Sequence, residues 1–298
     1  MTVFYGLLAA LCNALNVIAQ HLGSTTSAQK SKGWRFVIAL LRSPMWLAGW
    51  GALAGGFVFQ ALALHDGQLS VVQPLLVTEL VFALLLRQVW LRQSIRGVTW
   101  WAGALTCAFL AVFLAMSEPE GGKHYPDSSA WVTGGWGTVG AAVVLGLLGM
   151  RGTVMRRTAL LASSAAVMWA LVATLVKTMT DTLTEFGLLG MFTHWPVYAL
   201  AAAGLGAEVV HQTTLRVGPL SVSQPLLVIV NPVVSIALSV WIFQEYFTPD
   251  AARLAVGSAA FAAMCCFATM LARTAPPTMS SHSASQTSPA SAPTNPRR

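Results

Sequence analysis

At 298 residues, with 55% hydrophobic side chains, 9% charged ones and a mean hydropathy of +0.65, the chain is too apolar for a soluble domain, whose composition includes roughly 25% charged residues. Its 17 Lys plus Arg against 10 Asp plus Glu give a net charge of +7, but a nucleic-acid partner needs basic residues gathered on one exposed face, and here they sort by membrane side. Soluble enzymes and nucleic-acid binders are excluded, and the lipid bilayer is the first partner.

A helix crosses roughly 30 Å of hydrocarbon with about 20 apolar residues. Runs of that kind cover 3–22, 46–65, 69–91, 97–116, 131–150, 158–180, 194–215, 219–243 and 252–272. They are too long and too uniformly apolar for the alternating strands of a barrel, so the expected fold class is all-α, a polytopic helical bundle of about nine spans. The first run has no basic leader and no small-residue cleavage motif, and Asn13, Asn16 and Gln20 interrupt it, so it reads as a retained helix rather than a signal peptide. Segments 34–43 and 184–193 are apolar but too short to cross. They read as interfacial or re-entrant pieces, and ten spans is the alternative count. After Arg273 the chain turns to Ser, Thr, Pro and Ala, a composition that predicts a disordered tail over 274–298. Cys12, Cys107, Cys265 and Cys266 lie in apolar runs without CxxC spacing and read as packing residues, not disulfides or metal ligands.

Placing 23–45 in the cytoplasm puts every Lys and Arg on that side except Lys123, Lys177 and Arg253, which satisfies the positive-inside rule. The expected topology is nine crossings of the cytoplasmic membrane, N-terminus outside and C-terminus inside. Trp46, Trp100, Trp131 and Trp195 near span ends read as interfacial anchors.

The chain also repeats itself. LSVVQPLLV at 69–77 returns as LSVSQPLLV at 220–228. Pro44 pairs with Pro196 and Gln60 with Gln212 in the preceding run. This divides the chain into a first repeat over 1–116, a loop and linking helix over 117–157, a second repeat over 158–273, and the tail. By the span count the two copies enter the bilayer from opposite sides, an arrangement that lets the halves exchange conformations around a midplane site.

The duplicated LSVxQPLL helix after a short turn, the Phe243-Gln244-Glu245 segment and the small-residue helix with Gly257 resemble the EamA-type repeats of the drug/metabolite transporter superfamily, over about residues 1–272. The resemblance implies transport of a small solute across the cytoplasmic membrane, commonly export, without ATP. That family has ten spans with both termini inside, whereas nine with the N-terminus outside is more similar to its magnesium-transporter-like branch. The first repeat also carries Arg92-Gln93-Ser94 where the second has Phe243-Gln244-Glu245.

Candidate pathway residues are polar groups inside spans, because a carboxylate in hydrocarbon usually faces a cavity or a partner. Glu79 lies near the middle of its helix, and Glu208 shares a face with His211 and Gln212. The eight other acidic residues are expected in loops. Either intramembrane carboxylate can couple solute movement to protons or another cation, or simply hydrogen-bond a neighbouring helix. Pro74 and Pro225 each free a backbone carbonyl one turn earlier. Gln73 and Gln224 precede them, Asn231 and Ser235 extend the second stripe, and Pro232 adds a break at midspan. The plainer reading is that these prolines sit in first turns, where the missing donor costs little. Asn13, Asn16 and Gln20 form one polar face of the first helix. Lys177 is expected to snorkel to the interface, with a carboxylate or substrate contact as the alternative. Gly51 and Gly55 are expected to allow close helix contact.

Among catalytic motifs the sequence has no P-loop, GxSxG or HExxH. No enzyme activity, cofactor or resident metal is expected. The leading expectation is a secondary transporter of a small polar or amphipathic metabolite or drug, working by alternating access. A divalent-cation transporter or channel is the alternative, and a lipid flippase or a membrane scaffold a third class. A homodimer is compatible with all of these.

Overall fold

The computed structural model describes residues 1–30, 43–92, 94–117, 119–123, 126–247 and 250–274. Helix is the only local answer for most of these segments, since each peptide group can then pair within its own span where water is absent. In chain order the helices are α1 (Thr2–Lys30), α2 (Pro44–Asp66), α3 (Leu69–Leu76), α4 (Glu79–Trp90), α5 (Gly97–Ser117), α6 (Trp136–Leu148), α7 (Val154–Met191), α8 (Trp195–Val217), α9 (Leu220–Ile242) and α10 (Ala251–Thr274). A helical turn, Ser128–Ala130, and a π-helical turn, Trp131–Gly135, lead into α6. A short ribbon of β1 (Pro119–Gly121) and β2 (Glu245–Phe247) joins the chain after α5 to the chain after α9, with Glu120 opposite Tyr246. The protein is thus an all-α bundle in which, among the described residues, eight helical segments are long and apolar enough to cross a membrane. α8 has the same length as α9 but carries Glu208, His211, Gln212 and Arg216 and falls outside that set.

The termini of these helices are set by local chemistry. Ser43 caps α2 by accepting from the Trp46 amide at 3.4 Å, with Pro44 in the first turn. Thr153 does the same for Arg156 at α7, and Asp250 accepts from the Ala252 amide before α10. Residues 184–193 are the end of α7 and the turn that follows. Helical geometry breaks within them at Gly187, whose φ of 69° suits glycine, and Leu188, Leu189 and Phe192 beyond it are exposed. Residues 34–43, apart from Ser43, and the tail beyond Thr274 lie outside the described residues.

α7 is the axis of the bundle. α8 and α9 pack along it, and α6, α2 and α3 also touch it, while α1 lies along α2 and α5 along α10. Between helices in lipid there is little hydrophobic driving force, so close packing of small residues does the work. Ala162, Ala165, Ala166, Ala170 and Ala173 give α7 that surface. The hydroxyls of Thr174, Thr178, Thr180 and Thr182 are buried as well, and each donates to the carbonyl four residues back, so none needs water.

The two LSVxQPLLV copies fold differently. In the first, Pro74 removes one helical donor, and Val77 and Thr78 then bond back to Pro74 and Leu75 in a tighter turn that separates α3 from α4. Thr78 Oγ1 also donates to the Leu75 carbonyl at 2.7 Å. In the second, Pro225 and Pro232 are absorbed within one continuous α9.

Close approaches are also not where GxxxG spacing points. A methyl at Gly51 would meet nothing within 4 Å among the described residues, and the tight contacts on α2 are Gly49 under Gln20 and Gly56 under Asn13. Two further glycines, Gly67 before α3 and Gly218 before α9, leave no room for a Cβ, since Thr2 at the start of α1 and Thr158 in the first turns of α7 occupy that space. Thr158 is fully buried and tied to the Val154 carbonyl. Gly218→Ala is therefore expected to lower stability by about 1–3 kcal/mol, read as a lower thermal midpoint in detergent. Gly137→Ala, where nothing lies within reach of a new methyl, should leave the midpoint unchanged.

Candidate functional site

A helix begins with amide hydrogens that have no partner in their own chain. At α3 the N-cap residue Gln68 makes no side-chain capping bond. The partner comes instead from far along the sequence: the Leu69 amide donates to Glu245 Oε1 at 3.0 Å and the Ser70 amide to Oε2 at 3.2 Å. Ser70 Oγ adds a third bond to Oε2 at 2.7 Å. Glu245 is held there because Gln244, at φ 56°, turns the chain out of α9, and because β2 pairs with β1. The Lys123 amide donates to the Phe243 carbonyl at 2.7 Å and closes the same corner.

Lys177 completes the cluster from α7. Its Nζ lies 2.8 Å from Glu245 Oε1 and 4.6 Å from the centroid of the Phe243 ring. Both charges are almost fully enclosed, at 5% exposure for Lys177 and 1% for Glu245. Burial pushes the Glu245 carboxyl up. The Lys177 charge, with hydrogen bonds from Lys177, Ser70 and the Leu69 amide, outweighs that and holds it below the ordinary carboxylate range. The amino end of α3 contributes in the same direction, through its partial positive charge.

This placement corrects two expectations. Lys177 does not snorkel; it is an interior cation with an assigned partner. Nor are the other eight acidic residues all in loops: Asp181 and Glu185 belong to α7, with Asp181 buried, and Glu245 sits in a strand in the protein interior. Glu245 was missed as a site residue because it follows an apolar run and looks like a loop acid. The available signal was its repeat counterpart, an uncharged residue, together with a lone lysine inside a span.

The remaining predicted residues fall into separate places. Glu79 opens α4, half-buried, and pairs with the Asn13 side chain of α1. Asn16 accepts from Gln20 Nε2 at 2.7 Å, and both residues pack over Gly49, so this stripe serves the α1–α2 contact as well as Glu79. Glu208 is exposed on α8 and accepts from Gln212 Nε2 at 2.6 Å. His211 beside it is half-buried, its Nε2 enclosed without a hydrogen-bond partner among the described residues. Gln73 is buried beneath the Glu245 cluster, and its Nε2 also has no partner among the described residues. Gln224 and Asn231 are half-buried on α9, with Ser235 Oγ 3.4 Å from Asn231 Oδ1. Among the described residues no three His, Cys, Asp or Glu side chains converge as metal ligands. A cavity of about 200 Å³ lies between α5, α9, α10 and β2, lined by Phe113, Ser117, Val233, Arg253, Gly257 and Phe261 among others, and contains none of the predicted residues.

No protein-family profile matches the chain, and no solved structure matches it. It is similar to an uncharacterized protein of Corynebacterium glutamicum, 27% identical over 251 residues that cover 83% of this chain and 86% of that protein.

Removing one partner of a buried ion pair strands the other, at a cost of about 3–5 kcal/mol. Glu245→Ala is expected to lose that much at pH 7, and the double variant Lys177→Met with Glu245→Met to be more stable than either single change. Because the folded-state pKa of Glu245 is depressed, its stabilising contribution is complete above the unfolded-state value near 4 and is lost as pH falls through the folded one. Thermal midpoints measured against pH should fall in acid for the parent protein and show a shallower acid dependence in Glu245→Gln.

Proposed function

We propose that the chain is an inverted-repeat secondary transporter of the cytoplasmic membrane, exporting a small polar or amphipathic metabolite or drug by alternating access, in the manner of the EamA-type drug/metabolite transporters it resembles. One observation carries the reading. Glu245, which follows the carboxyl end of the helix bearing the second LSVxQPLLV copy, caps the amino end of the helix bearing the first. Two homologous segments joined head to tail in this way run in opposite directions, as inverted repeats require.

Two further pairings support it. Thr2 against Gly67 and Thr158 against Gly218 are the same contact made once in each half. Arg92 and Gln244, the two non-glycine residues with positive φ among the described residues, follow α4 and α9 at corresponding points. On this reading α1, α2, α3–α4 and α5 form the first repeat and α7 to α10 the second, with α6 as the linking span. Adding α8 to the eight apolar spans gives nine crossings and termini on opposite sides.

Glu79 with Asn13, the orphaned Gln73 amide and the Gln224–Asn231 stripe are the polar groups this mechanism offers a solute, and Glu79 is the residue assigned to proton or cation coupling. A divalent-cation carrier ranks second, because such an ion takes six or more oxygens while Glu79 and Glu208 belong to two separate pairs.

Reporter tags on the two ends are expected to read opposite compartments, and the same compartment at both ends overturns the topology. Untargeted comparison of metabolites inside and outside cells with and without the protein should identify an exported solute, and no difference under any growth condition counts against export. With that solute in proteoliposomes, Glu79→Gln is expected to retain counterflow but lose its pH dependence. A pH profile identical to the parent's removes Glu79 from coupling.

A further inference from the structure

We infer that Lys177, Glu245 and the amino end of α3 form a one-sided latch, which closes the end of the bundle that carries the β-ribbon and has no equivalent at the opposite end. The inference rests on the transporter reading and adds which side opens in the absence of solute.

The cluster joins the parts that alternating access must move apart. Ser70 and Leu69 belong to the first repeat, and Lys177 and Glu245 to the second. Opening the ribbon end between the repeats withdraws Glu245 from the α3 terminus and breaks its three hydrogen bonds with Leu69 and Ser70. The α3 amides would lose their acceptors in the same step. Lys177 stays with Glu245 on the second repeat, and while the end is closed it holds the carboxylate in place for the α3 amides. The ribbon itself resists the movement, since β1 follows α5 of the first repeat and β2 precedes α10 of the second.

The register of the repeats gives the residues that stand at the other end. The matching Thr2–Gly67 and Thr158–Gly218 contacts set α1 against α7 with Thr2 equivalent to Thr158, which puts His21 at the position of Lys177. The matching turns at Arg92 and Gln244 put Gln93 at the position of Glu245, and the ungapped sequence match puts Ser94 there. Neither carries a charge. A carboxylate fixed by Lys177 and taking three hydrogen bonds from the first repeat therefore holds one end, and in the sequence no acidic residue occupies either aligned position of the other repeat. The closed ribbon end is the lower-energy arrangement without solute, and the carrier rests open toward the side opposite the ribbon. By the distribution of Lys and Arg that side is the cytoplasm, so an exporter waits facing its solute.

The test uses the full chain with Cys12, Cys107, Cys265 and Cys266 replaced by serine, and a single cysteine at Gln73, beneath the latch, or at Gln224, in the second copy. Right-side-out and inside-out vesicles are treated with a membrane-impermeant maleimide. Gln73→Cys should react slowly from the ribbon side and Gln224→Cys readily from the other. Adding Glu245→Gln, or separately Lys177→Met, should raise the Gln73→Cys rate from the ribbon side by at least about tenfold and lower the Gln224→Cys rate. A Gln73→Cys rate that changes by less than about twofold in both variants, while Gln224→Cys still reacts, overturns the latch and leaves the transporter reading in place. Loss of monodisperse protein in both variants makes the pair a folding strut and also overturns it. If neither cysteine reacts from either side in any background, the transporter reading falls together with the latch.

Discussion

A lysine on the most enclosed helix of a membrane bundle must have an anion beside it, and much of the architecture follows from how that anion is delivered. Lys177 is fixed by α7, which is itself fixed by the alanine face that lets its neighbours approach. Glu245 must then come from another element, at a point where the backbone leaves the helical path. The left-handed turn at Gln244 and the pairing of β2 with β1 supply that departure. The carboxylate has more acceptor capacity than one ammonium uses, and the orphan amides of α3 take up the rest. A single side chain thus answers two separate requirements, the counter-charge for Lys177 and the missing cap of a helix whose own N-cap residue supplies none.

The proline steps show how the same nine-residue motif meets different constraints. In α9 the residues after LSVSQPLLV are Ile229 and Val230, and the helix continues. In the first copy they are Thr78 and Glu79. Thr78 donates to the Leu75 carbonyl, which stabilises the tighter turn and restarts the chain as α4 with Glu79 in its first turn. An acidic residue at that position is favoured by the helix terminus, and Asn13 from α1 supplies a further polar contact. The break after Pro74 is therefore what gives the intramembrane carboxylate of Glu79 a tolerable environment.

Much of this fold was legible from composition and length. The spans read from apolar runs agree with the helices to within a few residues at most ends, because in hydrocarbon the length of an apolar run and the length of a helix are the same constraint. What the sequence hid were features that depend on the third dimension. Whether a carboxylate just beyond a span faces water or the interior depends on the ribbon partner more than a hundred residues away, so Glu245 was assigned to a loop. Lys177 looks the same in sequence whether it snorkels or pairs. The glycines that matter, Gly49 and Gly56, are seven residues apart on one face of α2, and the more conspicuous GxxxG of Gly51 and Gly55 overlaps that interval without being the close contact. The polar stripe of α1 was legible as a face, but not as one shared between glycine contacts and Glu79.

The duplicated segments are most alike where they pack and least alike where they end. In the first copy two of the shared residues, Leu69 and Leu75, enter the apolar core, and the motif starts a helix against its neighbours. The divergence falls at the corner after the helix, Arg92-Gln93-Ser94 in one copy and Phe243-Gln244-Glu245 in the other, and at His21 against Lys177. On the proposed inverted-repeat reading, those changes give the ribbon end an ion pair whose aligned positions in the other repeat hold no acidic residue. A perfectly symmetric pair of repeats would have equal free energies in its two mirror-related states and no preferred resting side. On the proposed alternating-access reading, an exchange of a neutral for a charged residue at each of two aligned points is sufficient to remove that degeneracy, since the contacts of Glu245 with α3 are broken in one state and have no charged counterpart in the other.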